Sequence, residues 1–302
     1  RRNHAGMIFL TLKKLKATEL DRPSRPLEHF PGIPLPKPRP DIIFSNPHFT
    51  HSLQQASLMG TLTLIATPIG NLQDISPRAR EALGSLDALA CEDTRHTGNL
   101  LKLLDIPRPP IVVSNHEHNE RRMAEKIVEL LDAGKKVGLC SDAGYPGISD
   151  PGYPAIVAVI AAGHDIEVIP GASAVPIALL CSGLPTSSYT FKGFPPRKPG
   201  SRRAFLEMER DLPHTLVIYE SPFRVGKLLA EALAVLGDRQ AAVCIELTKH
   251  FERIHRGSLA KLADTFQNAK IKGEAVIVIA GNNPKFQAHD DDDSDDDDAQ
   301  TT

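Results

Sequence analysis

The segment Val137-Gly-Leu-Cys-Ser-Asp-Ala-Gly-Tyr-Pro-Gly-Ile-Ser-Asp-Pro-Gly152 passes from a short apolar run straight into a loop dense in glycine and proline. Glycine lets a backbone come close to a bound molecule and reach positive φ, and proline stiffens the path. The loop carries two carboxylates, Asp142 and Asp150. Alone, it would serve a nucleotide, a sugar phosphate or a flavin. Asp142 is the better ligand residue. Asp150, followed by Pro151, reads as a helix N-cap with proline at N1.

Three further polar loops follow apolar runs: Thr67-Pro-Ile-Gly-Asn-Leu72, Glu92-Asp-Thr-Arg95 and Pro170-Gly-Ala-Ser-Ala174. Ligands of open α/β sheets bind outside the carboxyl ends of the strands, so four such loops would line one crevice. None fits GxGxxG, GxxxxGK[ST] or GxSxG, which argues against a Rossmann dinucleotide site, a P-loop and a nucleophile elbow. His116-Glu-His-Asn-Glu120 holds half of a metal-ligand pattern, but no third ligand has suitable spacing, so no metal is expected. It reads either as a solvated loop or as a polar rim on the acceptor side. Arg197-Lys-Pro-Gly-Ser-Arg-Arg203 is a compact basic cluster, either a solvated helix entrance or a phosphate contact.

These loops need strands and helices to position them. From Thr61 onward short apolar runs alternate with helical periods. The pattern predicts strands over 61–66, 88–91, 111–114, 136–140, 166–169, 215–219, 241–247 and 274–280. It predicts helices over 77–86, 94–104, 119–133, 151–163, 202–211, 222–236 and 259–268. Such alternation implies an α/β architecture with largely parallel sheets. The expected layout is a first α/β domain over 59–181 and a second over 182–284. Residues 1–58, with the polyproline-like Pro31-Gly-Ile-Pro-Leu-Pro-Lys-Pro-Arg-Pro40, read as a disordered extension or a non-native leader before a natural start at Met59. Residues 285–302 read as a disordered acidic tail.

The formal net charge of −2 conceals a basic leader and an acidic tail around a nearly neutral centre. Bulk charge therefore does not advertise a nucleic-acid partner. Tryptophan is absent and aromatics make up 5%, which argues against a base-stacking platform. The four cysteines are far apart and form no CxxC pair; buried, reduced thiols in a cytoplasmic protein are expected. No apolar run reaches the length of a membrane span, so no membrane partner is expected.

Taken in order, Thr-Pro-Ile-Gly-Asn-Leu, Glu-Asp-Thr-Arg-His, His-Glu-His-Asn-Glu, Ser-Asp-Ala-Gly-x-Pro-Gly-Ile-Ser-Asp-Pro-Gly, Pro-Gly-Ala-Ser-Ala, Tyr-Glu-Ser-Pro-x-Arg and Glu-Leu-Thr-Lys resemble the tetrapyrrole methylase superfamily. The likeness covers residues 59–282. It is specifically to the branch that methylates a cytidine 2′-hydroxyl in small-subunit (16S) ribosomal RNA. The resemblance implies two α/β domains with S-adenosyl-L-methionine in the cleft between them, a homodimer, and ribosomal RNA of the small subunit as partner. By motif it implies cofactor contacts at Pro68, Asp142, Ala143, Ile148, Ser149, Ser173, Ala174, Tyr219, Ser221, Glu246, Leu247, Glu274, Ala275 and Val276. His118, Glu117, Glu246 and Lys249 are the candidates for activating the hydroxyl. Arg95, His116, Arg197, Lys198, Arg202 and Arg203 are the candidate RNA contacts. A tetrapyrrole or protein acceptor, or a non-catalytic cofactor-binding module, are the alternatives. Relatives carry a small helical segment after the last strand that is not evident here, and Tyr145 stands where they tend to have a smaller residue.

Overall fold

The computed structural model describes residues 59–269 and 272–286. The expectations for residues 1–58 and for the aspartate run lie outside the described residues. The first sheet has five strands in the order β3-β2-β4-β1-β5, all parallel. These are β1 (Thr61–Ile65), β2 (Ala88–Cys91), β3 (Ile111–Ser114), β4 (Val137–Cys140) and β5 (Asp165–Ile169). Parallel neighbours need crossovers, and helices supply them: α1 (Pro77–Ser85), α2 (Thr94–Leu103), α3 (Glu120–Asp132) and α4 (Tyr153–Ala161).

Strand side chains alternate between the two faces. Leu62, Leu64, Ala88, Ala90, Val137 and Leu139 pack with Ile127, Leu131, Ala155 and Val159 of α3 and α4. Ile65, Leu89, Cys91 and Cys140 pack on the other face with Ala79, Leu83 and Leu101 of α1 and α2. The sequence signals for α1 operate as read: the Ser76 hydroxyl accepts from the Ala79 N–H at 3.1 Å, with Pro77 at N1. Buried Met123, Ile127, Leu130 and Leu131 form the inner face of α3.

After α5 (Ala174–Ser182) the second sheet begins, in the order β6-β7-β10-β8-β9. Its strands are β6 (Tyr189–Phe191), β7 (Thr215–Glu220), β8 (Gln240–Ile245), β9 (Arg253–Ser258) and β10 (Ala275–Ile279). Here the expected parallel arrangement gives way. Only β6 and β7 pair in parallel; the β7–β10, β10–β8 and β8–β9 pairings are antiparallel. The cause is β9, which follows β8 with no helix between them and so returns alongside it. Helices α6 (Pro199–Glu207), α7 (Val225–Leu236) and α8 (Leu259–Phe266) cover one face through Leu206, Leu228, Leu229, Ala232, Leu262 and Phe266. Helix α5 covers the other, where Val175, Ala178 and Leu179 meet Val217, Cys244, Val276 and Val278.

Three elements escape a reading by pattern. Helix α5 is apolar all round, with Pro176 in its first turn, where a missing N–H is tolerated. Strand β6 has only three residues. Strand β9, Arg-Ile-His-Arg-Gly-Ser, is a polar edge strand. Pro284–Phe286, where the tail was expected to open, forms a 3-10 turn, and Phe286 packs against the α5 side of the second sheet. Among the described residues no helix is long and apolar enough to cross a membrane.

Candidate active site

The four polar loops converge at the carboxyl edge of the first sheet. The β1 and β4 loops are zipped together by Thr67 and Gly144, whose N–H groups donate to each other's carbonyls at 2.9 and 3.1 Å. Gly144 does this at φ +77°, a conformation that favours glycine. The Gly171 N–H donates to the Tyr145 hydroxyl at 3.0 Å, so this larger residue fastens the β4 loop to the β5 loop.

The second sheet closes the space from the other side. A cavity of about 460 Å³ is lined by Ile69, Glu92, Asp142, Ala143, Ile148, Asp150, Ser173 and Ala174 from the first half. Phe194, Tyr219, Glu220, Ser221, Glu274, Ala275 and Val276 complete it. Its volume falls within the range of small-molecule sites. Five of its lining residues are carboxylic, and none is Lys, Arg or His.

That unbalanced charge shows in the acids. Burial raises the Asp150 carboxyl to about 7, and the negative charge of Glu92 adds to the rise while Ser141 eases it. Glu92 is itself raised, by burial and then by Asp142. Burial, with Asp150 and Glu274 nearby, pushes the Tyr219 phenol up to about 12. Glu220 is buried and accepts from Arg224 Nε at 2.7 Å through Oε1, while its Oε2 has no hydrogen-bond partner.

A second groove, of about 610 Å³, adjoins this cavity and shares Ile69, Asp142, Ala143 and Glu274 with it. Its character differs. Arg95, His96 and Lys249 line it, together with Pro68, Asp93 and Asn99. Asp93 caps α2 through the Arg95 and His96 N–H groups, and the Arg95 guanidinium holds its carboxyl well below the usual range. Lys249 Nζ donates to Glu246 at 2.9 Å and Glu274 at 2.8 Å. Burial opposes its charge, but those two carboxylates outweigh burial and raise it, keeping an ammonium here.

The β8–β9 turn that carries Lys249 presses on the β1 loop. A Cβ on Gly70 would stand 2.4 Å from Lys249 Cγ and 2.8 Å from Thr248 Oγ1. Only glycine fits so close an approach.

Of the residues expected at the cofactor, Asp142, Ala143, Ile148, Ser173, Ala174, Tyr219, Ser221, Glu274, Ala275 and Val276 line the acidic cavity. Pro68 lines the groove instead. Ser149, Glu246 and Leu247 line neither. Leu247 is core, and Glu246 braces the wall by accepting from the Glu274 N–H at 3.0 Å.

His116, Glu117 and His118 form the turn before α3, outside both cavities; Glu117 and His118 are exposed. Arg197, Lys198 and Arg203 are exposed at the entrance to α6.

Two readings need correction. Arg202 is not on an RNA-facing surface. It is 2% exposed and forms a bidentate pair with Glu231, because the first turn of α6 rotates it inward. Asp150 is not a helix cap either. The cap of α4 is Gly152, at φ +147°, and Tyr153 opens the helix, so Pro151 falls outside it. The two-residue shift frees Asp150 to line the cavity. Glu92, Glu220 and Phe194 were also missed as site residues. For the two glutamates the signal was a carboxylate at the end of an apolar strand.

The family model described as tetrapyrrole (corrin/porphyrin) methylases matches residues 61–263. The chain belongs to the tetrapyrrole methylase family. It is a methyltransferase, and curated relatives extend the match. A protein of Halalkalibacterium halodurans named ribosomal RNA small subunit methyltransferase I is 44% identical over 79% of this chain and 82% of its own length. Proteins of the same name from Xylella fastidiosa and Synechocystis are 44% and 42% identical, over 83% and 81% of their lengths.

Among solved structures, this methylase resembles a cobalt precorrin-4 methyltransferase of cobalamin biosynthesis, with TM-score 0.54 and 19% identity over 73% of this chain and 94% of that one. It also resembles the uroporphyrin-III-C-methyltransferase of Thermus thermophilus, with TM-score 0.51, 20% identity and the same coverage of both chains. At such identity these two speak for the fold alone.

Proposed function

We propose that this methyltransferase uses S-adenosyl-L-methionine to methylate the 2′-hydroxyl of a cytidine in small-subunit (16S) ribosomal RNA. The observation that carries the reading is an acidic cavity beside a groove of mixed charge. A cavity lined by five carboxylic residues and by no Lys, Arg or His adjoins a groove in which Arg95, His96 and Lys249 stand among Asp93, Asp142 and Glu274. S-adenosylmethionine has a sulfonium and an ammonium against a single carboxylate, so the acidic cavity fits it. Asp142, Asp150 and Glu274 would face its cationic groups, and Ile69, Ile148, Phe194 and Val276 its apolar surface. When bound it supplies an activated methyl group.

The chain's own residues do the rest. The cavity walls fix the angle of approach, which supplies much of the rate for an activated donor. In the groove, exposed Arg95 beside its partner Asp93 is the group that a nucleic-acid phosphate would engage. Exposed Arg197, Lys198 and Arg203 add sequence-independent attraction that weakens with salt. The names of the relatives favour ribosomal RNA over a tetrapyrrole as acceptor. A ribosomal acceptor also implies a cytoplasmic site of action. A homodimer belongs to the same proposal: Tyr153, Val157 and Ile160 expose an apolar stripe at helical spacing along α4. Sedimentation velocity would check it.

The deciding experiment incubates the protein with methyl-labelled S-adenosylmethionine and purified small ribosomal subunits, then maps the labelled nucleotide. Label on a cytidine ribose is expected. Label on a tetrapyrrole instead, with none in RNA, overturns the acceptor. Calorimetric binding of S-adenosylmethionine without transfer to either would leave a binding module.

A further inference from the structure

A ribose hydroxyl is a poor acid, so its methylation calls for a base on the acceptor side, in reach of the donor cavity and with a free lone pair. Lys249 is unsuited, since Glu246 and Glu274 keep it protonated. Glu246 is spent on that pair and on the Glu274 N–H. Glu117 and His118 lie outside both cavities. Glu92 and Asp150 line the donor cavity and not the groove.

His96 meets the requirement. It lines the groove, and its side chain is 57% exposed, open to a large acceptor. Its Nδ1 lies 3.7 Å from Asp142 Oδ2, and Asp142 belongs to the wall common to both cavities. The other oxygen, Oδ1, accepts from the Asp93 N–H at 3.2 Å, which fixes the carboxylate. Asp93 in turn caps α2 and accepts from the His96 N–H, so base and orienting group hang on one capped helix end. At 3.7 Å the contact is longer than a hydrogen bond; a closer approach of this carboxylate to Nδ1 would select the tautomer with the proton on that nitrogen. Among the described residues Nε2 has no hydrogen-bond partner, and its lone pair is left for the groove.

We propose, given the acceptor assigned above, that His96 is the general base of the methyl transfer and that Asp142 positions it. As the 2′-oxygen forms its bond to the methyl carbon, the carbon–sulfur bond breaks and its electron pair stays on sulfur, which departs as a neutral thioether. The hydroxyl proton passes to His96 Nε2 and from there to water.

The test compares wild type with His96→Gln and His96→Asn. Calorimetry with S-adenosylmethionine is run first, then single-turnover methylation of small ribosomal subunits across a pH series. Both variants are expected to bind S-adenosylmethionine within about twofold of wild type, because His96 lies outside the donor cavity. Methyl transfer should fall by about 100-fold or more, in the range for loss of a general base. The rising acid limb of the wild-type profile should vanish. Transfer is measured at saturating S-adenosylmethionine at every pH, which removes the change in cofactor affinity linked to Asp150. The groove's Asp93, Arg95, Asp142, Lys249 and Glu274 and the cavity's Glu92 and Asp150 remain in both variants, so a surviving limb belongs to one of them.

Transfer within about threefold of wild type, or a reduced rate with the limb intact, overturns the assignment of His96. Failure of the wild type itself to label ribosomal RNA overturns the acceptor instead, and the proposal falls with it.

Discussion

Asp150→Asn should abolish a pH dependence of cofactor binding that the fold builds in. In the free protein the Asp150 carboxyl is raised to about 7, chiefly by burial and next by Glu92, with Asp142 and Glu274 adding negative charge. No basic residue lines the cavity, and of its carboxylates Glu274 pairs with Lys249 and Glu220 with Arg224 from outside it, while among the described residues Glu92 and Asp150 have no ion-pair partner. A cationic ligand would supply the missing positive charge, so binding should expel the proton. The apparent affinity then scales with the fraction of protein already ionised: about one-tenth at about pH 6 and nine-tenths at about pH 8, a tightening of about tenfold. Calorimetry at the two pH values, in buffers of different ionisation enthalpy, measures both affinity and protons released. Release near one proton is expected at the lower pH and near zero at the higher. In Asp150→Asn the affinity should be flat over this range.

Stability of the ligand-free protein has the opposite sign. The folded chain keeps this proton through the window, from about 4 to about 7, in which the unfolded chain loses it. Stability is therefore greatest below that window and declines as pH rises through it. The shift of about three units would be worth about 4 kcal/mol for a fully buried group; Asp150 retains some solvent contact, and about 1–3 kcal/mol is the realistic gain for Asp150→Asn at about pH 8. A wild-type affinity independent of pH, or a dependence that survives in Asp150→Asn, would refute the reasoning.

Other predictions rest on different parts of the molecule. Glu231→Ala strands the buried Arg202 guanidinium and should cost about 2–4 kcal/mol in urea unfolding, the lower part of the range because Glu231 touches water. Arg202→Met should cost less, since no buried charge is then left unpaired. At Gly273, with φ +93°, a Cβ would lie 2.1 Å from Glu246 Oε1. Gly273→Ala should thus displace Glu246 from Lys249 and the Glu274 N–H, lowering stability by about 1–2 kcal/mol in thermal unfolding and weakening S-adenosylmethionine binding about tenfold in calorimetry. Burial raises the Cys140 thiol and pushes Cys244 up to about 12, so mass spectrometry after iodoacetamide treatment of the folded protein should find the half-buried Cys181 alkylated well before either.

The first sheet was readable because most of its strands are short apolar runs ended by a polar loop, and α1, α2 and α3 each carry a cap or an apolar period. Ser76-Pro77 announces α1, and Met123, Ile127, Leu130 and Leu131 announce α3. The second sheet was less readable. Its direction changes at β9, whose Arg253, His255 and Arg256 look like loop residues until β8 pairs with them. Helix α5 gives no period to read: Val175, Ala178 and Leu179 meet the second sheet, yet its exposed side is apolar as well, at Pro176 and Leu180. Most of the cavity wall could be placed by motif, since contiguous loops deliver neighbours such as Asp142 and Ala143 together. Arg202 and Asp150 could not, because a single turn of helix register decides whether each faces water or the interior.

The sequence by itself determined the α/β alternation, the four loops at one sheet edge and the family to which they belong, since these depend on local spacing. Only the tertiary structure decided the charge of the site. Glu92, the loop of Asp142 and Asp150, Glu220 and Glu274 are separated by long stretches of chain, and packing puts them in one cavity whose lining has no Lys, Arg or His. The same packing sets His96 against Asp142 across the shared wall. Electrostatic character is a sum over neighbours in space, and a nearly neutral chain can fold into an acidic cavity beside a groove of mixed charge.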